Sequence, residues 1–257
     1  MKPSELLEIA LTAGEIMLRY GAETYRVEDT MVRICKKANI RFVESFVIPT
    51  GIVATITDEN GNFITISKRI KNRTIDLNKI ALVNQFSRDF AKNDISFQEA
   101  LNTLKNIESK KSYKFLELSL SAGLACSFST ILFKGSYKDA ISSFIVGFIS
   151  QSAINILNKK GFSWFMTYII GGFLTALVAS ITVFFNLGES LDKIIIGSVL
   201  IMTPGVAITN AIRDTIAGDL LSGVARAIEA VLVAVFIAIG AGIALFIGIK
   251  LLGGNLL

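Results

Sequence analysis

The residues best equipped for chemistry lie in two polar stretches. One is Gly21-Ala22-Glu23-Thr24-Tyr25-Arg26-Val27-Glu28. The other runs from Thr203-Pro204-Gly205 through Asn210, Arg213 and Asp214 to Gly218-Asp219. Proline beside glycine interrupts the helical hydrogen-bond ladder. In a bilayer, freed backbone groups survive only where protein or water satisfies them. The second stretch leaves the apolar run 194–201 through this break, so it reads as a solute or ion site near a membrane midplane. It reads equally as a kinked helix whose Arg213 and Asp214 meet the water interface. The first stretch sits at a helix–helix turn, where free N–H groups and the forked Arg26 suit an anion or small solute. Read as structure alone, Gly21 ends one helix, Thr24 caps the next, and Glu23 and Glu28 favour its start.

Glu229 is the sharpest single residue, with 20 uncharged positions before Lys250. A carboxylate inside hydrocarbon must be paired, protonated or wet. Arg226 is three positions earlier on the same helical face and is its expected partner. Gln151, Ser152 and Asn155, with Thr203, Thr209 and Asn210, either line one cavity or act as helix–helix glue.

Other chemistry is poorly supplied. With no histidine, imidazole metal sites and Ser-His or Cys-His pairs are excluded. Cys35 and Cys126 have neither disulfide nor metal spacing. There is no Gly-x-Ser-x-Gly elbow and no phosphate loop, so neither an enzyme, a bound metal nor a cofactor is expected. A net charge of +5 without a basic run interleaved with aromatics argues against nucleic acid. The run Lys68-Arg69-Ile70-Lys71-Asn72-Arg73 suits a solvated face or acidic headgroups.

The elements that must position these residues divide by composition. The chain is 52% hydrophobic with mean hydropathy +0.57. Residues 1–117 carry 18 Lys/Arg and 15 Asp/Glu, against 8 and 6 in 118–257. The expected fold is therefore an α-helical integral membrane protein preceded by a small α+β cytoplasmic domain, residues 1–112. Apolar periodicity predicts helices over 5–20 and from 24 or 25 to 38, and again over 76–91 and 97–109. Strands are expected over 40–48, 52–57 and 62–67, with Asp58-Glu59-Asn60-Gly61 as a hairpin turn. The remaining residues, 113–257, offer about five transmembrane helices near 115–133, 140–157, 163–186, 194–212 and 221–251. The first two are rich in Ser and Gly and are expected to face other helices instead of lipid. Residues 1–13 lack the pattern of a cleaved signal. Lys105, Lys110, Lys111, Lys114, Lys159 and Lys160 place the amino-terminal domain in the cytoplasm by the positive-inside rule.

Both polar stretches, with Pro49-Thr50-Gly51 and the order of modules, resemble the threonine/serine exporter (ThrE-like) family. The resemblance implies a multi-pass inner-membrane secondary transporter that exports threonine- or serine-type amino acids. In some members the solute is a dicarboxylate such as succinate. Five spans where full-length members have about ten imply the larger (YjjP-like) subunit of a split form, working with a smaller membrane subunit in a hetero-oligomer. Carried over by motif are Glu23, Thr24, Arg26, Thr203, Pro204, Gly205, Asn210, Arg213, Asp214 and Asp219. As an ion-driven exporter the chain would bind solute at the broken span through backbone groups and Asn210. Asp214, Asp219 or Glu229 would carry a proton, and Arg213 or Arg226 would balance an anionic group. The other expectation is a membrane-anchored ligand-sensing or hydrolase-like domain.

Overall fold

The computed structural model describes residues 1–38, 43–58, 60–110 and 113–252. Two compact units emerge: Met1–Ser112 with Gly205–Glu229, and Tyr113–Pro204 with Ala230–Leu257. Compactness thus groups 205–229 with the amino-terminal residues, whereas hydropathy assigns them to the apolar half.

In the first unit, α1 (Pro3–Arg19) is buried around most of its circumference, from Leu6 to Leu18. It is followed by α2 (Thr24–Cys35), which continues as a 3₁₀ turn to Ala38. Strands β1 (Val43–Ile48), β2 (Gly51–Thr57) and β3 (Phe63–Arg69) form an antiparallel sheet in chain order. On the central strand Ile52, Ala54 and Ile56 point into the core and Val53 points out, the two-residue period of a half-buried strand. Positions 40–42 of the expected first strand, and Glu59 of the hairpin, lie outside the described residues. In the β2–β3 hairpin Gly61 has φ 84°, as the Asn-Gly sequence suggests. Asp58 also organises the loop, its Oδ1 accepting the N–H of Asn60 at 2.9 Å and of Asn62 at 2.7 Å. Helices α3 (Leu77–Lys92) and α4 (Phe97–Ser109) start on side-chain caps from Asp76 and Ser96, and bring Val83, Phe90 and Leu104 to the same core.

The second unit holds α5 (Phe115–Leu132), α6 (Tyr137–Lys159), α7 (Trp164–Phe184) and α8 (Leu191–Val199). Helix α9 (Gly205–Ala217) belongs to the first unit, and α10 (Leu220–Leu252) begins there and ends in the second. Small residues let the helices of the second unit touch along their backbones. A Cβ on Gly240 would lie 2.0 Å from the oxygen of Ile169, and one on Gly172 would lie 2.4 Å from that of Ile237. On α5 the small face of Ser119, Ala122, Gly123 and Cys126 is buried as expected. On its other face Leu116, Leu120, Leu124 and Phe128 recur every fourth residue and are exposed in the isolated chain. Four-residue spacing puts all four on one stripe.

One side chain fastens two turns of this unit together. Asp139 is fully buried. Its Oδ1 accepts the N–H groups of Glu189 at 2.7 Å and Ser190 at 2.9 Å, and its Oδ2 accepts that of Ser136 at 2.9 Å. The α5–α6 turn and the α7–α8 turn therefore share a single carboxylate.

Among the described residues, α5, α6, α7 and the Leu220–Gly248 part of α10 are each long and apolar enough to cross a membrane. The chain from α8 to α9 qualifies only as a broken pair. After α8 a 3₁₀ turn ends at Met202, and Thr203 is extended with ψ 135°. Such a residue is what a following proline demands.

Candidate functional site

The turn between α1 and α2 is held residue by residue. Gly21 closes α1 with φ 93°, a conformation that costs a glycine little. Its carbonyl accepts from Asn210 Nδ2 at 2.7 Å, and that of Ala22 accepts from Arg226 Nη2 at 2.7 Å. The Glu23 carboxylate accepts from Arg213 and lies 3.3 Å from Arg26. Thr24 gives its backbone N–H to Asp214 Oδ1 at 3.0 Å. Its hydroxyl stands 2.9 Å from both Asp214 Oδ1 and Asp219 Oδ2. Asp214, fully buried, also faces Arg226 Nε through Oδ2 at 2.8 Å. All of these residues belong to the first unit.

Local sequence explains how α9 and α10 present this set. Gly218, with φ 96°, reverses the chain so that Asp214 and Asp219 lie either side of one turn, joined by an Asp219 N–H to Asp214 carbonyl bond of 2.8 Å. Gly223 admits α9 closely, since a Cβ there would sit 2.1 Å from Thr215 Oγ1.

Several expectations are corrected by this geometry. Thr24 does not cap α2. Glu23 occupies the cap position without a side-chain capping bond, and the Thr24 hydroxyl turns to the two aspartates. Arg226 does not pair with Glu229. It pairs with Asp214, and Glu229 pairs with Arg73 at 3.0 Å, because long side chains reach partners that sequence spacing does not reveal. Asn210 is buried, and one N–H of its amide is given to the Gly21 carbonyl. Thr203 and Thr209 bond carbonyls of their own segments, at Leu200 and Gly205. Gln151 bonds Asn155, and Ser152 bonds Ser119. The residues brought together are Glu23, Thr24, Arg26, Asn210, Arg213, Asp214 and Asp219. Thr203, Pro204 and Gly205 form the break itself, and Gly205 has open space where a Cβ would be.

Electrostatics separates two carboxyls at the start of α2, Glu23 at its cap and Glu28 within it. Burial acts to raise Glu23. Its hydrogen bonds from its own backbone and Arg213, with the charges of Arg26 and Arg213, outweigh that and hold it below the ordinary range. Glu28 is pushed up, first by burial and then by the charges of Asp219 and Asp214. The Val47 N–H that it accepts at 3.0 Å only partly opposes this.

Comparison with known proteins gives this arrangement a family. Residues 8–248 match the model described as "Putative threonine/serine exporter". The chain belongs to the threonine/serine exporter family. It is 22% identical to the "Probable succinate transporter subunit YjjP" of Klebsiella aerogenes, over 82% of this chain and 81% of that one. It is 24% identical to the "Threonine/serine exporter" of Corynebacterium glutamicum, over 93% of this chain but 50% of that one. The corresponding figures for the YjjP of Escherichia coli are 21%, 85% and 85%. The chain thus spans about half the length of the Corynebacterium exporter. No solved structure matches. This is a family of membrane transporters, not of enzymes.

Three members of the cluster in this exporter-family chain fall outside the residues carried over by motif. Glu28 stands in the first polar stretch but reads as a helix-start residue. Arg226 reads as a local partner of Glu229. Arg73 ends a basic run that looks like a solvated face. Their shared signal is only that each is ionic near an apolar segment.

Proposed function

We propose that this chain is a subunit of a secondary transporter that exports small polar metabolites of the threonine/serine type across the inner membrane, driven by an ion gradient. The supporting observation is the mixed-charge cluster around the α1–α2 turn. Arg213 and Arg26 keep 52% and 38% of their side-chain surface and offer guanidinium groups to a solute carboxylate. Asp219 and Glu28, each near enough to feel the other's charge, are the carboxyls that would take an ammonium group. Asp214, Asp219 or Glu229 carries the coupling proton. In this reading the amino-terminal residues are cytoplasmic, as the lysines before α5 and between α6 and α7 favour. A smaller membrane subunit completes the assembly, in keeping with the word subunit in the names of the YjjP relatives.

The same names favour a second solute, a dicarboxylate such as succinate, for which the exposed arginines are equally suited. The deciding experiment is efflux from cells preloaded with a threonine-containing dipeptide, with this chain expressed alone and with its small partner. Faster threonine and serine efflux only in the pair supports the first reading. Faster succinate release alone selects the second. No change in any of the three solutes rejects export.

A further inference from the structure

We propose that Asp214, Thr24 and Asp219 form a proton-operated latch, closed when one proton is held on Asp219 and open at Asp219 when that proton leaves. The argument begins with hydrogens. The Thr24 hydroxyl lies 2.9 Å from Asp214 Oδ1 and 2.9 Å from Asp219 Oδ2. A hydroxyl has one hydrogen, and ionised carboxylates only accept. With both aspartates ionised, one of the two contacts has no hydrogen in it and sets lone pairs against lone pairs. One added proton completes the chain: Asp219 donates to Thr24 Oγ1, and Thr24 donates to Asp214.

Asp214 is the poorer seat for that proton, because the Arg226 guanidinium at 2.8 Å favours its charged form. Its Oδ1 receives the Thr24 N–H and hydroxyl, and its Oδ2 faces Arg226. The charges around the latch point the same way. From α2 and its cap come Glu23, Arg26 and Glu28, and from α9 Arg213 and Asp214. The α9–α10 turn adds Asp219, α10 adds Arg226 and Glu229, and the segment after β3 adds Arg73. Glu23 has Arg26 and Arg213, Asp214 has Arg226, and Glu229 has Arg73. Among the described residues, Asp219 and Glu28 have no cation within ion-pair distance. Four guanidiniums thus face five carboxyls, and one proton balances them. The upward push on Glu28 from Asp214 and Asp219 is a symptom of the same surplus.

The step is a simple proton transfer: an O–H bond of a hydronium ion breaks, leaving water, and an O–H bond forms on Asp219. When the proton leaves, Thr24 stays with Asp214, to which it is joined twice. Asp219 is released, and the Gly218–Leu220 turn at the start of α10 loosens. As the seat of the coupling ion the latch rests on the export reading. As a latch it is measured without transport, so the two can fail separately.

The experiment is deuterium exchange of the backbone amides of 218–224 in the purified full chain in lipid nanodiscs, across pH. Each rate is divided by that of Asp219→Asn, whose carboxamide donates to Thr24 at every pH. The wild-type ratio is expected to rise by up to about tenfold per pH unit while the closed latch still holds its proton, and to level off once that proton is lost. Thr24→Ser keeps that rise and Thr24→Val abolishes it. A flat wild-type ratio, or an undiminished rise in Thr24→Val, overturns the latch. Loss of the rise in Glu28→Gln but not in Asp219→Glu overturns the assignment to Asp219. A normal latch in a chain whose Asp219→Asn variant exports at the wild-type rate leaves the latch standing and removes its role in coupling.

Discussion

The guanidinium of Arg226 and the carboxylate of Asp214 meet at 2.8 Å with almost no water access to either. The contact is charge against charge without a well-aligned hydrogen bond, for neither Arg226 Nε nor Asp214 Oδ2 has one. Arg226 spends Nη2 on the Ala22 carbonyl, so one side chain holds both α9 and the α1–α2 turn.

Removing either partner strands a buried charge. Arg226→Ala is expected to cost about 3–5 kcal/mol, read as a large fall in the melting temperature of the detergent-purified chain. The double variant Arg226→Met with Asp214→Asn is expected to recover much of the loss. Additive losses would show that the two side chains do not act as a pair.

Glu229 and Arg73 form a different kind of pair, each about one-third exposed. Exposed pairs contribute roughly 0–1 kcal/mol, so Glu229→Gln should melt within a few degrees of wild type. A loss of efflux in that variant therefore reports on transport and not on folding. Normal efflux with both Glu229→Gln and Asp219→Asn would remove these residues from coupling.

Glu23 at the cap of α2 and Glu28 within the helix respond to pH with opposite signs. Glu23 is held below its ordinary range in the folded chain. Its contribution is present at neutral pH and lost as pH falls through the folded value. Glu28 is raised, so its folded form prefers the proton, and stability declines as pH rises from the ordinary glutamate range through the raised value. Thermal melting should show Glu28→Gln stabilising at neutral pH and neutral in acid. Glu23→Gln should destabilise at neutral pH, with the gap closing on acidification.

Gly240 tests the crossing of α7 and α10. A side chain there meets backbone at Ile169 and Phe173, which cannot move as a rotamer can. Gly240→Ala is expected to cost about 1–3 kcal/mol by overpacking, whereas Gly242→Ala, with open space around it, should melt like wild type.

Much of the fold is legible because it is local. The burial of α1, the alternation of Ile52, Ala54 and Ile56, and the glycine that ends α1 all follow from neighbours a few positions apart. The two polar stretches are visible for the same reason. Their meeting is not, because Thr24 and Asp214 are 190 positions apart and no periodicity records the pairing. Spacing suggested Glu229 for Arg226. The structure instead gives that arginine a buried aspartate on another helix, where a bare carboxylate costs far more than an exposed one.

The carboxylate of Asp139 also sets a mechanical condition. Because it binds the α5–α6 turn and the α7–α8 turn at once, those two turns move as one piece. Parting them first requires breaking hydrogen bonds to a buried carboxylate, while at their other ends α6 and α7 are tied by the four residues 160–163.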